Sequence, residues 1–159
     1  MSKVKLTRIP AIAAGSLLLA ALPALGAESF TGQVADVSDG DTLVIGNGGR
    51  VRVVQLAGVD APELTQEYGK DARDYVKELT KGKKVTVEVL ESKSSTSLVA
   101  KVTVDGKDLA ASLVESGLAW SEQGSSADLH SAQEKAKSGK QGLWAGTNPT
   151  PPWDYRNKA

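Results

Sequence analysis

Residues 32–58 read GQVADVSDGDTLVIGNGGRVRVVQLAG, and the turn signals in this stretch decide the fold. Apolar residues alternate through 32–37, through 42–45 and again after Arg50, while Asp39-Gly40 and Asn47-Gly48 fall between the runs. Alternation of period two, broken by Asp-Gly or Asn-Gly, is the pattern of strands joined by hairpins. Three strands are expected here, at 32–37, 42–45 and 50–58. Two more follow at 84–90 and 98–104, the last closed by Asp105-Gly106.

Between the third and fourth strands the period changes. Tyr68, Ala72, Val76 and Leu79 recur at spacings of four and three and stop before Lys81-Gly82, which predicts a helix after the Pro62 turn. Beyond residue 106 the chain reads as helical. One segment starts from Asp108 as N-cap and runs to Gly117, and another starts from Asp128 and runs to Gly139. A five-strand meander with one inserted helix and terminal helices suggests a small closed barrel, and an OB-fold is the economical form. Asn148-Pro-Thr-Pro-Pro-Trp153-Asp-Tyr-Arg156 carries too many prolines for a helix interior. A tail over 148–159 is therefore expected extended, with Trp153 against the body.

Residues 1–27 stand apart from this pattern. Lys3, Lys5 and Arg8 precede an uncharged apolar run from Ile9 to Ala24, and small residues cluster at Gly26-Ala27. That is the layout of a cleavable secretory signal. The run is interrupted by Pro10 and Pro23 and falls short of the roughly 20 apolar residues of a spanning helix. A periplasmic or secreted protein is expected, with a single domain at 28–147 and no stable membrane association.

After removal of that segment 16 basic residues face 19 acidic ones, a net charge of −3. This is a weak electrostatic footprint for general nucleic-acid binding. Lys70, Arg73, Lys77, Lys83, Lys84, Lys101 and Lys107 read as a solvated face. The absence of cysteine excludes disulfides, thiolate metal sites and a cysteine nucleophile. The single histidine, His130, reads as a surface residue at a helix start.

Three acidic residues stand where strand ends meet turns: Asp41, Asp60 and Glu63. Carboxylates and a carbonyl oxygen presented by a proline-pinned turn suit a hard cation such as Ca²⁺. Singly, each motif is an ordinary turn former.

The ordered set resembles the staphylococcal nuclease (thermonuclease) family over essentially the whole segment after residue 27. The stretches that carry the resemblance are Asp39-Gly-Asp-Thr-Leu43, Leu56-Ala-Gly-Val-Asp-Ala-Pro-Glu63, Gln66-Glu-Tyr-Gly69, residues 110–119, Ala132-Gln133, Gly142-Leu-Trp144 and the proline-rich tail. The resemblance implies a five-stranded Greek-key OB-fold barrel with about three helices, and Ca²⁺-dependent endonucleolytic hydrolysis of DNA and RNA. It implies that Asp41, Asp60 and the Ala61 carbonyl hold the metal and that Glu63 activates the attacking water. It also implies two arginines that grip the scissile phosphate.

Those arginines are missing. Counting along the family motifs places Gln55 at the first position and Ser97 at the second, within a loop that reads Lys93-Ser-Ser-Thr-Ser97. Arg52 points to the opposite strand face from position 55 and starts about 10 Å away, and Arg50 is farther. Loss of a phosphate-gripping arginine costs on the order of 10³ to 10⁵ in rate, so impaired hydrolysis by a monomer acting on single-stranded or flexible nucleic acid is expected. A non-catalytic module binding a metal, a nucleic acid or a protein on the same barrel is the competing expectation.

Overall fold

A computed structural model describes residues 28–158. The expected signal at 1–27 lies outside the described residues. Five long strands build the barrel: β1 (Ser29–Val37), β2 (Thr42–Asn47), β3 (Arg50–Leu56), then, after a short β4 (Val59–Asp60) and helix α1 (Gly69–Thr80), β5 (Lys84–Ser92) and β6 (Ser97–Val104). The two-residue β7 (Lys107–Asp108) leads into α2 (Leu109–Glu115), and β8 (Trp120–Ser121) precedes α3 (Ala127–Ser138). A 3₁₀ turn at Gly142–Ala145 and a short α4 (Pro152–Arg156) complete the order.

The five-stranded barrel is present, but it is not a simple meander. β5 returns to pair antiparallel with β1, and β6 closes the ring by running parallel to β3 with Gln55 opposite Val99. The alternation read from sequence fixes which residues point inward: Leu43, Ile45, Val54, Leu56, Val85, Val87 and Val102 are fully buried or nearly so. Leu109, Leu113 and Val114 of α2 and Ala72 and Val76 of α1 pack on the same core. Burial of that many branched side chains, each contributing about 1.5–3 kcal/mol, makes the barrel the rigid frame of the molecule.

Capping follows the sequence at α2, where Asp108 accepts a hydrogen bond from the Ala111 N–H at 3.2 Å. At α3 the reading needs correction. Ser126 is the N-cap, its hydroxyl accepting from Leu129 N–H, and Asp128 lies in the first turn, where its charge favours the helix dipole.

The tail also differs from its expected form. Residues 152–156 are helical because Pro152 occupies the first turn, where a missing N–H costs nothing. Pro152 is buried, and Trp153 meets Trp120 edge-on at 6.3 Å, so the anticipated contact of Trp153 with the body is made. Thr65 and Tyr155 hydroxyls are 2.9 Å apart, and Gln66 donates to the Thr150 carbonyl.

Candidate active site

The β1–β2 turn brings Asp39 and Asp41 to one end of the barrel. Gly40 sits there because a Cβ would fall 2.7 Å from the Cβ atoms of both Ala61 and Ala72, closer than side chains pack. The glycine thus lets the turn lie flat on α1 and on the Asp60–Glu63 segment. Asp41 is 7% exposed. Its Oδ2 accepts from the Ala61 N–H at 2.7 Å and its Oδ1 from the Thr42 hydroxyl at 3.0 Å. Burial pushes the Asp41 carboxyl up to about 7, the neighbouring Asp39 charge adds to the rise, and the bonds from Ala61 and Thr42 oppose it.

Asp60 is held by the pairing of β4 with β8, which sets Asp60 opposite Trp120. Glu63 is held by a local turn in which the Glu63 N–H donates to Gln66 Oε1 at 2.8 Å and the Gln66 N–H donates back to the Glu63 carbonyl. Gly69 has no Cβ because one would overlap that same carbonyl. The Gln66-Glu-Tyr-Gly69 motif is therefore the support of Glu63.

Asp41, Asp60, Ala61, Glu63 and Gln55 line one cavity of about 200 Å³. Five of the six positions expected from sequence are thus gathered. The sixth, Ser97, lies outside the cavity lining. It faces outward on β6 opposite Val53, on the same side of the sheet as Gln55. Arg52 is committed elsewhere, with Nη1 2.6 Å from Glu28 Oε1 and its guanidinium stacked over Phe30, so it serves no clamp at position 55.

Sequence reasoning missed four participants. Asp39 and Glu122 add carboxylates to the cavity, and Glu122 lies beside Asp60 because it directly follows β8. Burial, and then Asp60, raise the Glu122 carboxyl above its ordinary value, while Lys93 and Arg156 pull it down. Lys93, on the β5–β6 loop and outside the cavity lining, donates from Nζ to Gln55 Oε1 at 3.0 Å. Arg156 of α4 enters from the opposite end of the sequence. Its Nη1 donates to Asp60 Oδ1 at 3.1 Å and to Glu63 Oε1 at 2.9 Å, and its Nη2 donates to Asp60 Oδ2 at 2.8 Å.

Among the described residues no group of three carboxylate, imidazole or thiol side chains stands assembled around a metal position. Asp41 is turned to Ala61 and Thr42, and Asp60 to Arg156. The donor chemistry nevertheless fits a hard divalent cation. Five carboxylates converge on one small cavity, and burial, with the Asp39 charge adding to it, raises the Asp41 carboxyl. Asp60 gives Arg156 two of its roughly four acceptor positions and keeps the rest.

Residues 53–146 match the family model described as "Staphylococcal nuclease homologue". The chain belongs to the staphylococcal nuclease family. A protein of Escherichia coli O157:H7 named "Uncharacterized endonuclease" is 33% identical over 130 residues, covering 80% of this chain and 85% of its own. The "Micrococcal nuclease" of Shigella flexneri is 30% identical over 168 residues, covering 97% and 95%. The "Staphylococcal-like nuclease CAN1" of Arabidopsis thaliana is 31% identical over 105 residues, covering 65% of this chain and 32% of the plant protein. The barrel with its covering helices is that of a staphylococcal nuclease homologue, and the match supports a nuclease-family function.

Proposed function

We propose that the protein is an exported Ca²⁺-dependent phosphodiester hydrolase acting on single-stranded or flexible DNA and RNA, slower than a family member that keeps both clamp arginines. The observation that carries this reading is the convergence of Asp41, Asp60 and Glu63 on one cavity of a nuclease-family barrel. Asp41, Asp60 and the Ala61 carbonyl would hold the cation, which supplies Lewis-acid charge opposite the phosphoryl oxygens when bound. Glu63 orients or deprotonates the attacking water, and its backbone is kept in place by Gln66 and Gly69. Gln55 offers a neutral hydrogen bond where a delocalised positive charge would do more.

Incubating the protein with single-stranded DNA in Ca²⁺ or in EDTA tests this. Cleavage is expected in Ca²⁺ alone, lost with Glu63→Ala, and slower by orders of magnitude than that of an arginine-bearing relative under matched conditions. Turnover within about tenfold of such a relative would contradict the impairment.

A second reading is a binding module without turnover, favoured by the engagement of both Asp60 and Glu63 by Arg156. Complete absence of Ca²⁺-dependent cleavage, with Ca²⁺ or oligonucleotide still bound, would establish it.

A further inference from the structure

The two clamp arginines of the family are absent from this chain, yet two other cations stand at the same cavity, Arg156 in its lining and Lys93 on the lining residue Gln55. Lys93 stands at position 55 by way of Gln55, 3.0 Å from its side-chain oxygen. Arg156 stands on Asp60 and Glu63. We propose that Lys93 and Arg156 form the phosphate grip of this protein, replacing by position in space the arginines lost at residues 55 and 97. The inference rests on the hydrolase reading for its substrate class and extends it to residues outside the family's clamp positions.

The donor arithmetic supports a grip. A guanidinium carries five N–H donors. Three of Arg156's are spent, two from Nη1 and one from Nη2. The N–H of Nε and the second N–H of Nη2 have no partner among the described residues, and together they form one edge of the planar fork. That edge has the spacing of two phosphate oxygens. The side chain is 49% exposed, so a ligand can reach it. The two carboxylates fix the plane of the group in advance, which is what a preorganised contact requires.

The placement of Arg156 does not depend on the ion pairs alone. Pro152 is buried, Trp153 packs on Trp120, Tyr155 meets Thr65, and Thr150 accepts from Gln66, the residue that also holds Glu63. The tail is thus fastened to the loop that carries the acidic residues. Lys93 has a complementary arrangement. One ammonium proton goes to Gln55 and two are left for oxygen ligands. Gln55, its oxygen engaged, keeps its amide N–H groups as further donors. Arg156 lines the cavity itself, and Lys93, outside the lining, meets it through Gln55, which does line it.

The experiment measures binding of a fluorescent single-stranded oligothymidylate to the full chain in EDTA over a range of salt, and turnover of the same strand in Ca²⁺. Each phosphate contact contributes a slope of about 0.7 in log affinity against log salt for single strands. Lys93→Gln and Arg156→Gln should each reduce the slope by about that amount, and each should lower turnover on the order of 10²- to 10³-fold. Arg156→Lys should recover part of the slope. Arg50→Ala, which removes an exposed charge on the β2–β3 hairpin, should leave it nearly unchanged. Equal melting temperatures check that the variants remain folded.

Unchanged slopes in both glutamine variants would overturn the proposal, and a loss in only one would overturn the paired grip. Tighter binding or faster turnover in Arg156→Gln would also overturn it, since the guanidinium would then be a plug over Asp60 and Glu63. A wild-type chain without Ca²⁺-dependent turnover sinks the hydrolase reading but leaves the slopes to judge the grip. An active wild type with unaffected variants sinks the grip alone.

Discussion

Asp41 concentrates the electrostatic tension of the site. Its carboxyl is raised from 3.8 to about 7, chiefly by burial, so the folded state holds the proton more tightly than the unfolded chain. Stability from this group is complete below about pH 3.8 and is lost as pH rises through about 7. Asp41→Asn should therefore melt higher than the parent by a margin that widens between those values and then levels off, as scanning calorimetry across pH would record. Ca²⁺ must displace the same proton. Its affinity should fall on acidification below about pH 7, and calorimetric titration with Asp41→Ala and Asp60→Ala as controls should show no such binding. Position 55 invites the reverse test. Gln55→Arg with Ser97→Arg should raise turnover well above the parent and lose the gain with Glu63→Ala. Most of the gain should come from residue 55, because Ser97 lies outside the cavity lining. Asp41, Asp60 and Glu63 were legible because turn chemistry and family spacing both mark them. Arg156 was not, because its contact with Glu63 spans 93 positions and no local pattern reports it.

At the scale of the element, the site depends on glycines that provide clearance. The Asp39-Gly40 pair reads in sequence as a hairpin signal, yet Gly40 is needed for its contact with Ala61 and Ala72. Periodicity reveals which face of a strand is buried but not which turn must touch a helix. Gly69 is the sharper case. A Cβ there would drive into the Glu63 carbonyl, and overpacking of this kind costs about 1–3 kcal/mol. Gly69→Ala should lower the melting temperature by several degrees. It should reduce turnover more than stability loss explains, because Glu63 moves with its backbone. Kinetics at a temperature where the variant remains folded would separate the two effects. The short α4 was hidden for a related reason. Three prolines within 149–152 discourage a helical reading, whereas only the helix that begins at the last of them matters. Ser126 was passed over as a cap because Asp128 is an equally good capping type two residues later.

Across the whole molecule, strand identity was readable from alternation, and strand order only through the resemblance to a Greek-key OB-fold barrel. Alternation predicts that β3 and β6 each have one buried face, but their parallel pairing depends on closure of the ring, a non-local event with no local sequence signature. That pairing is what carries the β5–β6 loop, and with it Lys93, to Gln55. The surface cations behave as the composition suggests: Lys77, Lys83 and Lys101 each face a nearby aspartate, so the charges that bear on the cavity are few and local.

The position of α4 in the chain makes the frame and its charge separable. Every strand of the barrel and every acidic residue of the cavity precedes it. A single cut before residue 148 would remove the guanidinium from Asp60 and Glu63 and leave every barrel strand and every cavity carboxylate on the larger piece.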